Sequence, residues 1–325
     1  EVLRSDRLTQ GPAVPAFEKA VAEKCGAAHA VAANSATSAL HLACLALDVG
    51  PGDMVWTSPN TFVASANCAR YCGAVVDFVD IDPHTGHLSV PKLREKLAQA
   101  KKDGRLPKVL VPVHFAGQPT EQETIWDLAQ EYDFRVLEDA AHAIGASRNG
   151  EPVGRCRWSD ITVFSFHAEK IITTGEGGMT LTNNGEVAGR MRRLCTHGIT
   201  RDPDKLTRPP DGPWYYEQIE LGFNYRMTDL QAALGLSQMS RLDDFVRRRN
   251  ELARRYDEAF AELPIDCQLV SNGVYSARHL YVIRVPATMH RGLFEYLRAE
   301  GIGVNMHYIP VYWQPEYRRL GFKEG

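Results

Sequence analysis

The chain has no apolar run approaching the roughly 20 residues that cross a bilayer, so no stretch reads as a membrane span. It has no excess of either charge. The 37 Lys and Arg stand against 40 Asp and Glu, a net charge of −3, which sets up no long-range field toward nucleic acid or an anionic membrane. It has no low-complexity stretch and no repeat. No G-x-G-x-x-G follows the first strand-like run, which excludes a plain dinucleotide-binding dehydrogenase. No secretory leader pattern opens EVLRSDRLTQG. The seven cysteines are odd in number and irregularly spaced. Cys68 and Cys72 lie four apart in a helical stretch with no second pair to complete a metal site. They read as free thiols of a reducing cytosol, so a cytoplasmic location is expected. The chain opens on Glu rather than Met and stops at LGFKEG, so both ends are expected to be trimmed.

What is present is a soluble composition, 44% hydrophobic and 24% charged over 325 residues. That length holds a large core domain and a smaller one. Short β-rich runs alternate with helical patterns: HAVAAN, DMVWTSP, AVVDFVDID, KVLVPVHFAG, FRVLEDAA, DITVFSFH and MTLTN. These runs are almost continuously apolar, as strands covered on both faces are. The alternation predicts an α/β fold around a mostly parallel, doubly wound sheet. Residues 200–218 form a polar, Pro-rich excursion. A long helical stretch from TDLQAALG to EAFAEL follows, then a β-α-β unit formed by HLYVIRVP, HRGLFEYLRAEG and IGVNMHYIP. The division falls near residue 245, with a large domain over 1–245 and a small C-terminal α+β domain over 246–325.

In such a sheet, ligands bind beyond the carboxyl ends of the strands. The polar residues there are Asn34 to Ser38, Asn60 to Phe62, His114, Asp139 and His142, and Ser165 to Lys170. NSATSAL is a strand-to-helix turn whose unpaired amides suit a phosphate, although Ser and Asn are also ordinary helix caps. Asp139 follows an apolar strand and needs a cationic or N–H partner, or else caps a helix. Lys170, read alone, is a solvated loop lysine. Its setting argues otherwise: burial after DITVFSFH would free its amine for Schiff-base chemistry, and TTGEGG allows a tight turn beside a ring. An acid, a lysine and a phosphate turn together are what pyridoxal 5′-phosphate (PLP) needs.

NSATSALHLA, PNTFVASANC, VPVHFAG, LEDAAHAIGA, SFHAEKIITTGEGGM and LGFNYRMTDLQAALGLSQ together resemble the DegT/DnrJ/EryC1/StrS family over essentially the whole chain. The resemblance implies a fold type I, aspartate-aminotransferase-like enzyme that uses PLP. It implies that Lys170 carries the cofactor, that Asp139 pairs with the pyridine nitrogen, and that Phe62 stacks on the ring. It implies His142 near the phenolic oxygen and Thr37, Ser38 and Ser165 at the phosphate. Asn224 matches a residue that reaches the phosphate from a neighbouring subunit, so a homodimer with shared sites is implied. Arg226 and His307 match the nucleotide-sugar side. Relatives that remove the C3 hydroxyl carry histidine at the lysine position, so the lysine here implies transamination. WYYEQIELGFNYRMTDLQAALGLSQ and VNMHYIPVYWQPEYRRLGF resemble the members serving pseudaminic-acid biosynthesis. The implied reaction moves an amino group from L-glutamate to C4 of a UDP-linked 4-keto-6-deoxy-N-acetylhexosamine. A UDP-4-keto-pentose or dTDP-4-keto-6-deoxyhexose acceptor is the alternative. A non-catalytic sensor is disfavoured, because no basic module or helix-turn-helix is added.

Overall fold

The computed structural model describes residues 2–324. Seven strands build the central sheet: β1 (His29–Ala33), β2 (Met54–Thr57), β3 (Val75–Phe78), β4 (Val109–Val111), β5 (Arg135–Asp139), β6 (Ile161–Ser165) and β7 (Gly178–Thr182). Their order across the sheet is β1-β7-β6-β5-β4-β2-β3. β7 is antiparallel to both neighbours, and the other six run one way. The mostly parallel α/β sheet expected from the sequence is therefore present. Its carboxyl edge gathers the ends of β1, β2, β4, β5 and β6.

The apolar runs do not alternate because both faces are covered. Val31 and Ala33 of β1 pack with Leu40 and Ala43 of α2 (Ala36–Ala46), Ala66 of α3 (Ala64–Tyr71) and Met191 of α6 (Gly185–Cys195). Ala30 and Ala32 point the other way, into a cluster with Phe17 and Val21 of α1 (Ala13–Cys25). Val109 and Val111 of β4 likewise join the first cluster. Leu110 meets Leu93 and Leu97 of α4 (Val90–Asp103) and Ile125 and Leu128 of α5 (Gln122–Tyr132). Side chains two apart share a face, so each strand feeds two cores.

Helix α1 escapes a reading of the sequence for a physical reason. Its N-cap is Pro12, which offers no side-chain bond. The cap comes from afar: the Asp229 carboxylate accepts from the amides of Gly11 (3.0 Å), Ala13 (3.1 Å) and Val14 (3.4 Å). Asp229 is buried and opens α7 (Asp229–Met239). Its charge thus sits at two helix N-termini, where the macrodipoles favour it. Gly11 admits this contact, since a Cβ there would fall 2.2 Å from Asp229 Oδ2.

Two expectations change. The long helical stretch breaks at Ser240–Arg241 into α7 and α8 (Leu242–Phe260). The small-domain β-α-β unit is incomplete. Ile283–Arg284 pairs with Asp266–Cys267, and α9 (Ala287–Ala299) follows, but 302–310 forms no strand. The Tyr308 amide instead donates to Asn60 Oδ1 (3.1 Å), and just beyond the segment the Val311 amide donates to the Pro59 carbonyl (3.0 Å). The segment is tied to the loop after β2 instead of a ladder. Helix α8 runs through position 245, with Leu242 and Val246 in the second core.

Asp229→Ala should strand three amides near the start of α1. A cost of about 1–3 kcal/mol is expected. Urea unfolding should show a lower midpoint with an unchanged slope. A midpoint equal to the parent's would remove Asp229 from the capping role.

Candidate active site

Strand parity decides which acid faces the cleft. Glu138 and Asp139 are adjacent on β5, so they point to opposite faces. Glu138 turns inward to Thr162 (2.7 Å) and Ser159 (3.2 Å), with His114 Nε2 at 3.4 Å. Burial would push its carboxyl up, but the His114 ring and the hydrogen bonds hold it below the usual range. His114 is thereby spent on structure: its Nδ1 accepts from the Thr120 amide at 3.1 Å. It does not join the other strand-end residues.

Asp139 lies at the carboxyl edge and is buried. Ser65 Oγ donates to its Oδ2 at 2.6 Å, and the Ala141 amide donates to Oδ1 at 3.1 Å. Ser65 is itself 2.6 Å from Thr61 Oγ1. The carboxylate is thus fixed in direction by one hydroxyl and one amide. Nothing in the sequence reading singled out Ser65. Its signal was there, three residues after Phe62 and so one helical turn on.

Lys170 sits beyond β6, half-buried, with its backbone amide donating to the His167 carbonyl at 2.9 Å. Among the described residues its amine makes no hydrogen bond. Burial lowers its pKa, and the charges of Asp139 and Glu169 offset this only in part. Its charge is felt by three histidines. Burial first, then His279 and Lys170, push His142 well below its ordinary value. Burial and Lys170 take His279 down to about 3 and lower His307 as well. His307 therefore belongs to this cleft, brought there by 302–310. His279 also belongs; no local pattern could announce it. His167 and Glu169 make local contacts: the Glu169 amide donates to His167 Nδ1 at 3.3 Å.

At the neighbouring strand end, Ser35 caps α2 by accepting from the Ser38 amide at 3.1 Å. Ser38 Oγ donates to Asn34 Oδ1 at 2.7 Å. Thr37 is half-buried in the first turn, whose amides lack intrahelical acceptors. Gly178 lets α2 press on the sheet here, since a Cβ would lie 2.5 Å from the Ser35 and Ala36 backbone. Ser165 is buried at the end of β6. Phe62, in the loop after β2, is 60% exposed, a large ring left uncovered.

Asn224 and Arg226 flank Tyr225, whose carbonyl accepts from the Asn34 amide at 2.7 Å, beside the start of α2. Asn224 is exposed. Arg226 lines a cavity of about 260 Å³ with Glu18, Arg192 and Cys195, which Lys170, Asp139 and His142 do not line.

The family pattern of DegT/DnrJ/EryC1/StrS aminotransferases matches residues 1–325. The chain belongs to this family. It is similar to the UDP-4-amino-4,6-dideoxy-N-acetyl-β-L-altrosamine transaminase of Campylobacter jejuni, 38% identical over 98% of this chain and 82% of that protein. It is also similar to the GDP-perosamine synthase of Caulobacter vibrioides, 37% identical over 94% of this chain and 78% of that protein. Among solved structures, Helicobacter pylori PseC, an aminotransferase of pseudaminic-acid biosynthesis, superposes with a TM-score of 0.89. It is 31% identical and aligns over 100% of this chain and 84% of its own. This family member is a PLP-dependent sugar aminotransferase with the fold type I architecture. The cleft suits that cofactor: a half-buried amine without a hydrogen bond, a fixed carboxylate and a helix N-terminus rich in hydroxyls lie along one sheet edge.

A lysine whose folded pKa lies below about 10.4 binds its proton more weakly than the unfolded chain does. Stability of the cofactor-free protein should therefore rise with pH between the lowered value and about 10.4. Lys170→Met removes this penalty. The variant should melt higher than the parent at pH 7, with the gap closing as pH approaches 10.4. A lower melting temperature at pH 7 would contradict it.

Proposed function

We propose that this chain transfers an amino group from L-glutamate to C4 of a UDP-linked 4-keto-6-deoxy-N-acetylhexosamine, a step of pseudaminic-acid biosynthesis. The observation that carries the transfer chemistry is the Lys170 amine, half-buried and without a hydrogen bond, with the Asp139 charge acting on it. The choice of sugar rests on likeness to the altrosamine transaminase. Likeness to the GDP-perosamine synthase at nearly equal identity supports the second reading, another nucleotide-linked 4-keto sugar.

Bound PLP supplies an electron sink conjugated to the reacting carbon. The protein's part is division of labour. Lys170 anchors the cofactor through its amine and, once displaced by an amino donor, moves the proton as base and then acid. A lowered pKa serves this, because the neutral amine is needed to anchor the cofactor and to take the proton, and the ammonium so formed gives the proton back readily. Asp139, aimed by Ser65 and the Ala141 amide, accepts the N–H of the pyridine ring and keeps it protonated. Thr37, Ser38 and Ser165 hold the phosphate with the first-turn amides of α2. Phe62 covers one face of the ring. His307 meets the sugar nucleotide from the small-domain side.

Asn224 and Arg226 fit a homodimer in which each subunit completes its partner's site. Trp214 and Leu221, which lead up to Asn224, are 70% and 81% exposed, an apolar stretch suited to a subunit contact. The seven free thiols suit a reducing, cytoplasmic setting.

Assays of glutamate-dependent amino transfer to UDP-, GDP- and dTDP-linked 4-keto sugars separate the readings. The UDP-linked N-acetylhexosamine should be the best acceptor, by at least about tenfold in kcat/KM, or about 1.4 kcal/mol. Preference for the GDP sugar would favour the second reading. Lys170→Ala should abolish transfer to every acceptor.

A further inference from the structure

Three rings gather around His142. His142 and His279 have centroids 4.3 Å apart, and the Tyr308 ring lies 6.5 Å from His142 with its plane inclined by 22°. The hydrogen bonds around His142 fix where its proton is. The Ala116 amide donates to Nδ1 at 3.3 Å. A backbone amide can only donate, so Nδ1 carries a bare lone pair. Burial, with His279, Lys170 and His307 nearby, keeps the ring neutral. The single ring proton is therefore on Nε2, which lies 3.3 Å from the Tyr308 hydroxyl. The phenol oxygen accepts that proton, and its own hydrogen is left to donate elsewhere. Burial and the charges of Asp139 and Glu169 keep the phenol protonated.

His142 and Tyr308 are both held by their surroundings. Ala116 adopts a left-handed backbone (φ 60°) that turns its amide toward His142. Gly117 follows at φ +96°, where a Cβ would lie 2.8–2.9 Å from the backbone of Arg278, His142 and His279. The Asn60 side chain accepts from the Tyr308 amide. The Tyr308 ring also meets Phe115 edge-on, with centroids 6.1 Å apart. No other hydrogen bond engages the Tyr308 hydroxyl among the described residues.

We propose that Tyr308 is a cofactor-binding residue and His142 the residue that orients it: His142 occupies a lone pair of the phenol oxygen, and the phenol hydrogen is donated to the phenolic oxygen of bound PLP. This rests on Lys170 and Asp139 being the cofactor site. The family resemblance puts His142 near that oxygen; the direction of the bonds assigns the last donor to Tyr308. Such a donor favours the form in which the oxygen bears an unshared negative charge. It should lower the pH at which the lysine–cofactor linkage gives up its proton.

The test is a pH titration of the visible absorbance of the PLP-loaded protein, parent against Tyr308→Phe. The variant's midpoint should rise by about one pH unit or more. Nitrogen-15 spectra of histidine-labelled parent protein, without cofactor, should show His142 neutral with its proton on Nε2, whatever the variant does. An unchanged midpoint would overturn the proposal, as would a proton on Nδ1. So would an unchanged midpoint joined to a raised KM for the sugar, which would give the hydroxyl to the substrate. If the parent shows no pH-sensitive visible band, the failure lies with Lys170 as the anchor and overturns both readings.

Discussion

The site depends on keeping an amine and a carboxylate close together without letting them satisfy each other. A buried lysine beside an acid would ordinarily close an ion pair. Here the Asp139 oxygens are already engaged by Ser65 and the Ala141 amide, and Lys170 makes no hydrogen bond. Burial then weighs more than the nearby negative charges, and the amine's proton is held loosely. Such an arrangement costs stability, as reactive groups held out of water generally do. The surrounding sheet, packed on both faces, is what allows it to persist.

The sheet sets this geometry through parity and direction. Asp139 and Glu138 are neighbours with opposite fates: one faces the cleft, the other a buried network with His114, Ser159 and Thr162. A one-residue slip of β5 would exchange them. The buried Glu138 network gives that slip a high cost, because it would leave a charged group facing the wrong partners. Because β1, β5 and β6 run the same way, the start of α2, Asp139 and Lys170 emerge along one edge. The C-terminal part of the chain adds to this edge. His279 and 302–310 bring two imidazoles and a phenol to His142, three residues after Asp139.

Much of this was legible in the chain. The near-continuous apolar runs announced strands covered on both faces, and the polar residues just past them marked the edge where Asp139, His142, Ser165 and Lys170 meet. What escaped notice was non-local. Helix α1 carries no cap of its own and borrows Asp229 from far along the chain. The segment 302–310 has a strand's composition but is tied to the loop after β2, through the Tyr308 amide to Asn60 and the following Val311 amide to Pro59. His114 looks like a strand-end ligand residue until its partner Glu138 is seen. Ser65, His279 and Tyr308 gain their roles only from partners distant in sequence. Local pattern records propensity and burial; it does not record which distant group satisfies a donor.

The most direct measurement is to trap the lysine that carries the cofactor. The protein is incubated with PLP, reduced with borohydride, digested and mapped by mass spectrometry. The phosphopyridoxyl group should be found on the peptide containing Lys170 and at that residue. A label on a different lysine, or no stable label, would contradict the assignment of the cleft as the PLP site.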